Sequence, residues 1–367
     1  MKRASLIVIR WPSIDSALPS GVLRAPAKPG LAIVAALVPL LLASACKKDK
    51  EGADKAATEK VATTEKPGSA EPPKGDKPPT FVMVTKAVHP YYEPCFEGFK
   101  AAAAKYGVKA DRVDPQKMEL PLQVKSLEEL IAQHVDGIAL SAVDDAGLVP
   151  VIADATKAGI KVITFDAPAP SSAALTYIGT DNQTAGFEAG KKMAELMKGK
   201  GKIVILQGGL TATNLNLRTQ GFKDALAKQA PDVKVLEVID TAGDFSVANS
   251  KTEALLQAYP DVTALFSVSA EGAPAAAAVL KQQGKAGKIL LAGFDDLKDT
   301  LAGIKDGSVA FCIVQKTFKM GWLSIEALRD AMAGKTLPKV TDTGVLFVAK
   351  DNVDTYMDEM KKEFAGR

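Results

Sequence analysis

The chain has 367 residues, 47% hydrophobic and 6% aromatic, with 46 Lys and Arg against 43 Asp and Glu, a formal charge of +3. That length is enough for two domains with a full core each, and the composition suits an alanine-rich globular α/β protein. The positive charge excludes little: Met1 to Ala45 holds five basic residues (Lys2, Arg3, Arg10, Arg24, Lys28) against Asp15 alone, and Cys46 onward carries a net −1. A nearly neutral body has no general pull toward nucleic acid.

The leader reads as an export signal over residues 1–45. A basic segment precedes LAIVAALVPLLL, an apolar run of 12 residues. A membrane span needs ~20, so this run fits a signal core instead. Ala43-Ser44-Ala45-Cys46 follows, then Lys47-Lys48. Small residues before a cysteine resemble a bacterial lipobox, in which the cysteine is lipidated and becomes the new N-terminus. Here Ala43 stands where leucine is usual, and plain cleavage after an A-x-A sequence is the alternative. Residues 47–79 contain eight lysines, seven acids and five prolines, with Val61 the one large hydrophobe. Such a segment cannot bury a core and is expected to be a disordered tether. Residues 46–79 thus form a lipidated cysteine and its linker.

From Thr80, short apolar runs alternate with helical patterns, which predicts parallel α/β sheets. Strands are expected at 81–85, 109–113, 137–141 and 161–165, with helices at 92–105, 119–134 and 146–158. A helix at 184–198 leads to a second series beginning near 202–206. It has strands at 233–238, 263–266, 288–291 and 309–314, and helices at 216–229, 246–258, 272–283 and 296–306. A helix at 317–333 follows. The chain therefore holds two βαβ sets.

Lys161 to Gly186 is the most informative stretch. The apolar run Val162 to Phe165 ends in Asp166, followed by a Pro/Ser/Ala-rich loop, Tyr177-Ile178-Gly179 and Asp181-Asn182. In open parallel sheets, ligands sit off the carboxyl ends of the strands, where Asp166 is placed. An unpaired carboxylate is costly to bury there, but a polyhydroxylated ligand can donate hydrogen bonds to it. A solvated strand-end turn is the competing reading.

Motifs of catalysis do not appear. The only histidines are His89 and His134, and no Cys/His cluster has metal-ligand spacing. Gln207-Gly208-Gly209 follows a strand without a G-x-G-x-x-G or Walker pattern, and no G-x-S-x-G elbow occurs. No catalytic residue, metal or cofactor is expected, and the chain is not read as an enzyme. Residues 1–79 contain no helix-turn-helix pattern, which argues against a transcription regulator.

Several ordered segments carry a family resemblance: FVMVTKAVHPYYEPCFEGF, DGIALSAVDDAGLVPVIADATKAGIKVITFDAP, YIGTDNQTAG, LRTQGF, the DF of AGDFSVA, ALFSVSAEGAPAAAAVL, AGFDDL and IVQKTFKMG. In this order and spacing, from Thr80 to Asn352, they resemble the periplasmic sugar-binding proteins of the ribose-binding type, soluble receptors of bacterial ABC importers. The resemblance implies an α/β fold of two Rossmann-like parallel-sheet lobes joined by a three-crossing hinge, with the ligand in the cleft. The N-terminal lobe is expected over 80–180 with 316–343 and the C-terminal lobe over 181–315 with 344–367. Crossings are expected near 179–183, 314–317 and 341–346. Cys95 and Cys312 would then lie in different lobes as buried free thiols.

The resemblance also implies a set of ligand contacts. Tyr91 and Tyr92 match an aromatic pair opening the first helix, and Lys86 precedes them as in some rhamnose and autoinducer-2 receptors. His89 falls where ribose binders carry asparagine. Asp166, Arg218, the pair Phe294-Asp295, and Gln315 match ligand-binding positions. Asn214 and Asn216 precede Arg218 and are expected near the same cleft, and Phe245 matches an aromatic wall. Three departures stand out. Ala167 replaces an arginine, while Ser269 and Ala270 replace asparagine and aspartate, so a hexose, deoxyhexose or related polyol is expected rather than ribose. Asp166 and Asp295 would face each other across a moving cleft, which suits binding better than proton transfer. The implied partners are a monosaccharide or small polyol, an ABC permease and the membrane through the lipid on Cys46. The protein would be a monomer at the periplasmic face of a bacterial membrane. The alternative is a sugar or autoinducer-2-like receptor feeding a chemoreceptor or sensor kinase.

Overall fold

Phe81, Val82, Met83 and Val84 have no polar residue among them, and all four are buried in strand β1 (Thr80–Val84). A strand apolar on both faces needs cover on both faces, which helices supply in a parallel sheet. A computed structural model describes residues 77–365, all within one compact unit. The export signal, Cys46 and most of the expected tether lie outside the described residues.

The first sheet joins β1 to β2 (Lys109–Val113), β3 (Gly137–Leu140), β4 (Lys161–Phe165), β5 (Tyr177–Gly179) and β11 (Val340–Asp342). The second contains β6 (Lys200–Gln207), β7 (Asp232–Asp240), β8 (Ala264–Ser267), β9 (Leu290–Phe294), β10 (Phe311–Gln315) and β12 (Val345–Ala349). The spatial orders are β11-β5-β4-β3-β1-β2 and β12-β10-β9-β8-β6-β7. The strand order reverses between β1 and β3 in one sheet and between β6 and β8 in the other. Such switch points open a crevice at the strands' carboxyl ends. Every pairing is parallel except β10 with β12.

The helices are α1 (Glu93–Tyr106), α2 (Leu120–Ala132), α3 (Asp145–Lys157), α4 (Asn182–Leu196), α5 (Thr213–Gln229), α6 (Phe245–Ala258), α7 (Gly272–Gln282), α8 (Lys298–Asp306), α9 (Thr317–Met332) and α10 (Val353–Ala365). Glycine sets two of their contacts. A methyl on Gly186 would fall 2.1 Å from the Arg218 carbonyl oxygen, and one on Gly221 would fall 2.0 Å from that of Gln183. Backbone therefore packs on backbone between α4 and α5. Gly98 and Gly321 permit the same approach between α1 and α9, with backbone oxygens at 2.0 Å and 1.7 Å.

Separate hydrophobic clusters line the two faces of each sheet. Phe222 stacks on Phe266 at 4.0 Å between ring centres, and Phe294 meets Phe266 edge-on at 6.1 Å. Cys95 and Cys312 are buried free thiols, one in α1 and one in β10.

The main alternation of strand and helix follows the sequence reading, with local differences. β9 begins two residues later than expected because Gly287, at φ 73°, still belongs to the preceding turn. Tyr177–Gly179 and Val340–Asp342 are strands of three residues each, too short for a periodic signal, and their pairing with each other sustains them. The antiparallel β12 departs from the all-parallel expectation: the chain enters the second sheet beside β10 from the opposite end.

Candidate functional site

The site begins at the ends of β1, β3 and β4. After β1, Lys86 is buried, and a 3-10 turn at Pro90–Tyr92 follows. His89 starts that turn: its Nδ1 accepts from the Tyr91 backbone N–H at 3.1 Å. Pro90 supplies the fixed φ of a helical first position. The turn brings both tyrosine hydroxyls to Asp166, Tyr91 to Oδ1 at 2.9 Å and Tyr92 to Oδ2 at 3.1 Å. Ser141, one residue beyond β3, donates to Oδ2 at 2.6 Å. The Lys86 ammonium lies 3.6 Å from the same oxygen.

Asp166 and Asp295 each follow a buried strand in left-handed backbone, at φ 57° and 69°. Short carboxylate side chains tolerate that region better than bulky ones. Their electrostatics differ. Burial pushes the Asp166 carboxyl up, but Lys86 and Arg218 together with the hydroxyl donors outweigh it and hold it below the usual carboxylate range. Asp295 accepts from Gln315 Nε2 at 3.0 Å, and Thr180 Oγ1 donates to Gln315 Oε1 at 2.8 Å. There burial dominates, and despite Arg218 the carboxyl is pushed up to about 7.

Arg218, on α5, is 1% exposed. Its Nε donates to Asn182 Oδ1 at 2.8 Å and its Nη1 to the Val268 carbonyl at 3.0 Å. The guanidinium lies 4.3 Å from the centre of the Phe294 ring. Nη2 is buried without a protein partner. A buried donor left so costs about 1–3 kcal/mol, which an accepting ligand oxygen offsets. Lys86 reaches across to α5 and donates to Asn214 Oδ1 at 3.0 Å, while Asn214 Nδ2 lies 3.5 Å from Asp166 Oδ1. Burial lowers the Lys86 ammonium from its usual range, against the pull of Asp166.

Lys86, His89, Tyr91, Tyr92, Asp166, Asn214, Arg218, Ser269, Asp295 and Gln315 line one cavity, whose space free of atoms, mouth included, is about 490 Å³. Three residues expected there do not line it. The Phe294 ring is fully buried in the core beneath Arg218. Phe245 stacks on His89, with centres 5.3 Å apart and planes within 3°. Asn216 instead hydrogen-bonds Gln207 and the Leu210 carbonyl. Ala167, at the arginine position of ribose-type receptors, is fully buried.

Sequence reasoning missed Ser141, Asn182 and Glu271. Ser141 obeys the same strand-end rule that singled out Asp166. Asn182 was legible only as a helix start; its amide joins Arg218 to the Tyr177 hydroxyl at 3.0 Å and the Thr180 carbonyl at 2.9 Å. Glu271 is the lone acid within SVSAEGAPAAAA, and that isolation was its signal.

Two sheets with facing strand ends, joined by three passages and enclosing buried carboxylates, an arginine and tyrosine hydroxyls, define a two-lobed small-molecule-binding protein. Residues 80–336 match the model of the periplasmic binding protein domain family. The chain belongs to that family, as a periplasmic sugar-binding protein of the ribose type. It is 30% identical over 253 residues to the ribose import binding protein RbsB of Bacillus subtilis, covering 68% of this chain and 80% of the relative. Among solved structures, an ABC transporter solute-binding protein of Burkholderia graminis in complex with D-arabinose superposes with a TM-score of 0.73 at 39% identity, covering 76% of this chain and 98% of that one. GanP, a glucose-galactose binding protein of Geobacillus stearothermophilus, gives 0.72 at 33% identity, covering 75% and 99%. The family is one of exported proteins that bind sugars without transforming them.

Proposed function

We propose that this protein is the substrate-binding component of a bacterial ABC sugar importer, capturing a monosaccharide or related polyol in the cleft and presenting it to a permease on closure. The observation that carries this reading is the paired carboxylates, Asp166 and Asp295, one from each sheet, with the unpartnered Arg218 Nη2 lining the same cavity. Carboxylates accept from sugar hydroxyls and guanidinium donates to them, while Tyr91 and Tyr92 offer apolar ring surface. A ligand touching both lobes favours the closed arrangement by its differential contacts. Cys46 would carry the lipid that holds the body at the periplasmic membrane face, with residues 47–79 as the tether and the body monomeric.

Isothermal titration of the purified protein against D-ribose, D-arabinose, D-xylose, D-galactose, D-glucose, L-rhamnose and xylitol tests the reading. At least one is expected to bind with a dissociation constant in the micromolar range or below, about −8 kcal/mol or stronger. Asp166→Ala and Asp295→Ala should each weaken it by about tenfold or more. Heat release from none of the panel would overturn the proposal.

A further inference from the structure

We propose that Glu271 is a specificity-determining residue of this cleft, its free carboxylate oxygen accepting one particular hydroxyl of the sugar that His89 Nε2 also meets. The inference rests on the sugar-binding reading and deepens it.

Glu271 stands immediately before α7, at the switch point between β6 and β8. It is 2% exposed and lines the cavity. Thr241 Oγ1 donates to its Oε1 at 2.6 Å and Ser269 Oγ donates to the same atom at 2.7 Å. Both bonds fall on Oε1, leaving Oε2 to a donor in the cavity. Gly208, at the end of β6, makes room for this carboxylate: a methyl there would fall 2.7 Å from Oε1 and 2.9 Å from Ser269 Oγ. Two hydroxyls and a bare backbone thus orient one carboxylate toward the cleft.

An independent observation comes from the other lobe. His89 Nδ1 accepts from the Tyr91 N–H, so the neutral ring carries its proton on Nε2. That Nε2 is buried without a protein partner, and His89 lines the same cavity. Burial holds the ring neutral, and Glu271 is the charged group that acts on it most strongly, ahead of Asp166. A hydroxyl is both donor and acceptor, so one sugar hydroxyl can donate to Glu271 and accept from His89. A site built to hydrogen-bond a hydroxyl discriminates strongly against the analogue lacking it.

The test is calorimetry of wild type and Glu271→Gln with the tightest-binding sugar among D-ribose, D-arabinose, D-xylose, D-galactose and D-glucose, and with its monodeoxy derivatives. Glu271→Gln should lose about tenfold or more on the parent sugar. The loss should nearly vanish for one monodeoxy derivative and persist for the others. Equal losses on every derivative would mark a merely structural role, and unchanged affinity for the parent sugar would also overturn the inference. If wild type binds none of the sugars, the sugar-binding reading fails and this inference with it. Should Glu271→Gln not fold, as judged by circular dichroism, Glu271→Asp withdraws the carboxylate by one methylene, keeps its charge, and is held to the same pattern.

Discussion

Asp166 and Asp295 occupy equivalent places, each one residue past a buried strand in left-handed backbone, yet their carboxyls are driven in opposite directions. The difference lies in their neighbours. Asp166 accepts from Tyr91, Tyr92 and Ser141 and faces Lys86, whereas Gln315 is the one hydrogen-bond donor to the Asp295 carboxylate among the described residues. Near neutral pH Asp166 is therefore firmly ionised and Asp295 close to half-protonated.

This asymmetry has a pH signature. With its folded value raised to about 7 from an ordinary 3.8, Asp295 binds more protons in the folded state than in the unfolded one. Its contribution is fully present below about pH 4 and is lost as pH rises through about 7, a change on the order of 4 kcal/mol at most. Asp295→Asn should flatten the decline in stability over that window and make the ligand-free protein more stable near pH 8. Urea denaturation at about pH 5 and pH 8 checks this; an equally steep decline in the variant contradicts it.

Lys86 and Asp166 form a buried pair whose halves depend on each other. Removing one charge leaves the other uncompensated, which typically costs about 3–5 kcal/mol. Asp166→Asn is expected to destabilise the protein by that order, and Asp166→Asn with Lys86→Met by distinctly less. A double-mutant cycle from denaturation midpoints measures the coupling. Strict additivity would show that the ion pair contributes nothing.

Ribose should bind weakly or not at all. The small Ala167 and Ser269 stand where ribose-type receptors carry longer polar groups, and Ala167 is fully buried, with no donor to offer. Hydroxyls left unpaired in a closed cleft are rejected strongly. A ribose dissociation constant below about one micromolar, with no hexose or deoxyhexose binding more tightly, would falsify this expectation.

The lipid anchor proposed at Cys46 can be tested directly. Cys46→Ser should move the protein from the membrane to the soluble periplasmic fraction, because the proposed anchor is the lipid on that residue. Identical fractionation of wild type and variant would remove the lipid anchor from the proposal.

Much of this was legible in the linear chain because its signals are local. Apolar runs bounded by turns mark β1, β4 and β9, and an acid directly after such a run is exposed by the contrast, as Asp166 and Asp295 are. Tyr91, Tyr92 and Arg218 were found by their place in ordered motifs. Tertiary structure alone decided what depends on neighbours distant in sequence. Glu271 became a cleft residue through Thr241, Ser269 and Gly208, which converge where the second sheet reverses its order. The Phe294 ring went to the core because Asp295, the next residue, took the cleft-facing direction at the strand end. Phe245 met His89 across the cleft, a pairing 156 positions apart that no periodicity encodes. The protonation of the two aspartates is likewise a tertiary property: the same residue at the same kind of strand end is ionised where cations and hydroxyls converge and held back where burial prevails.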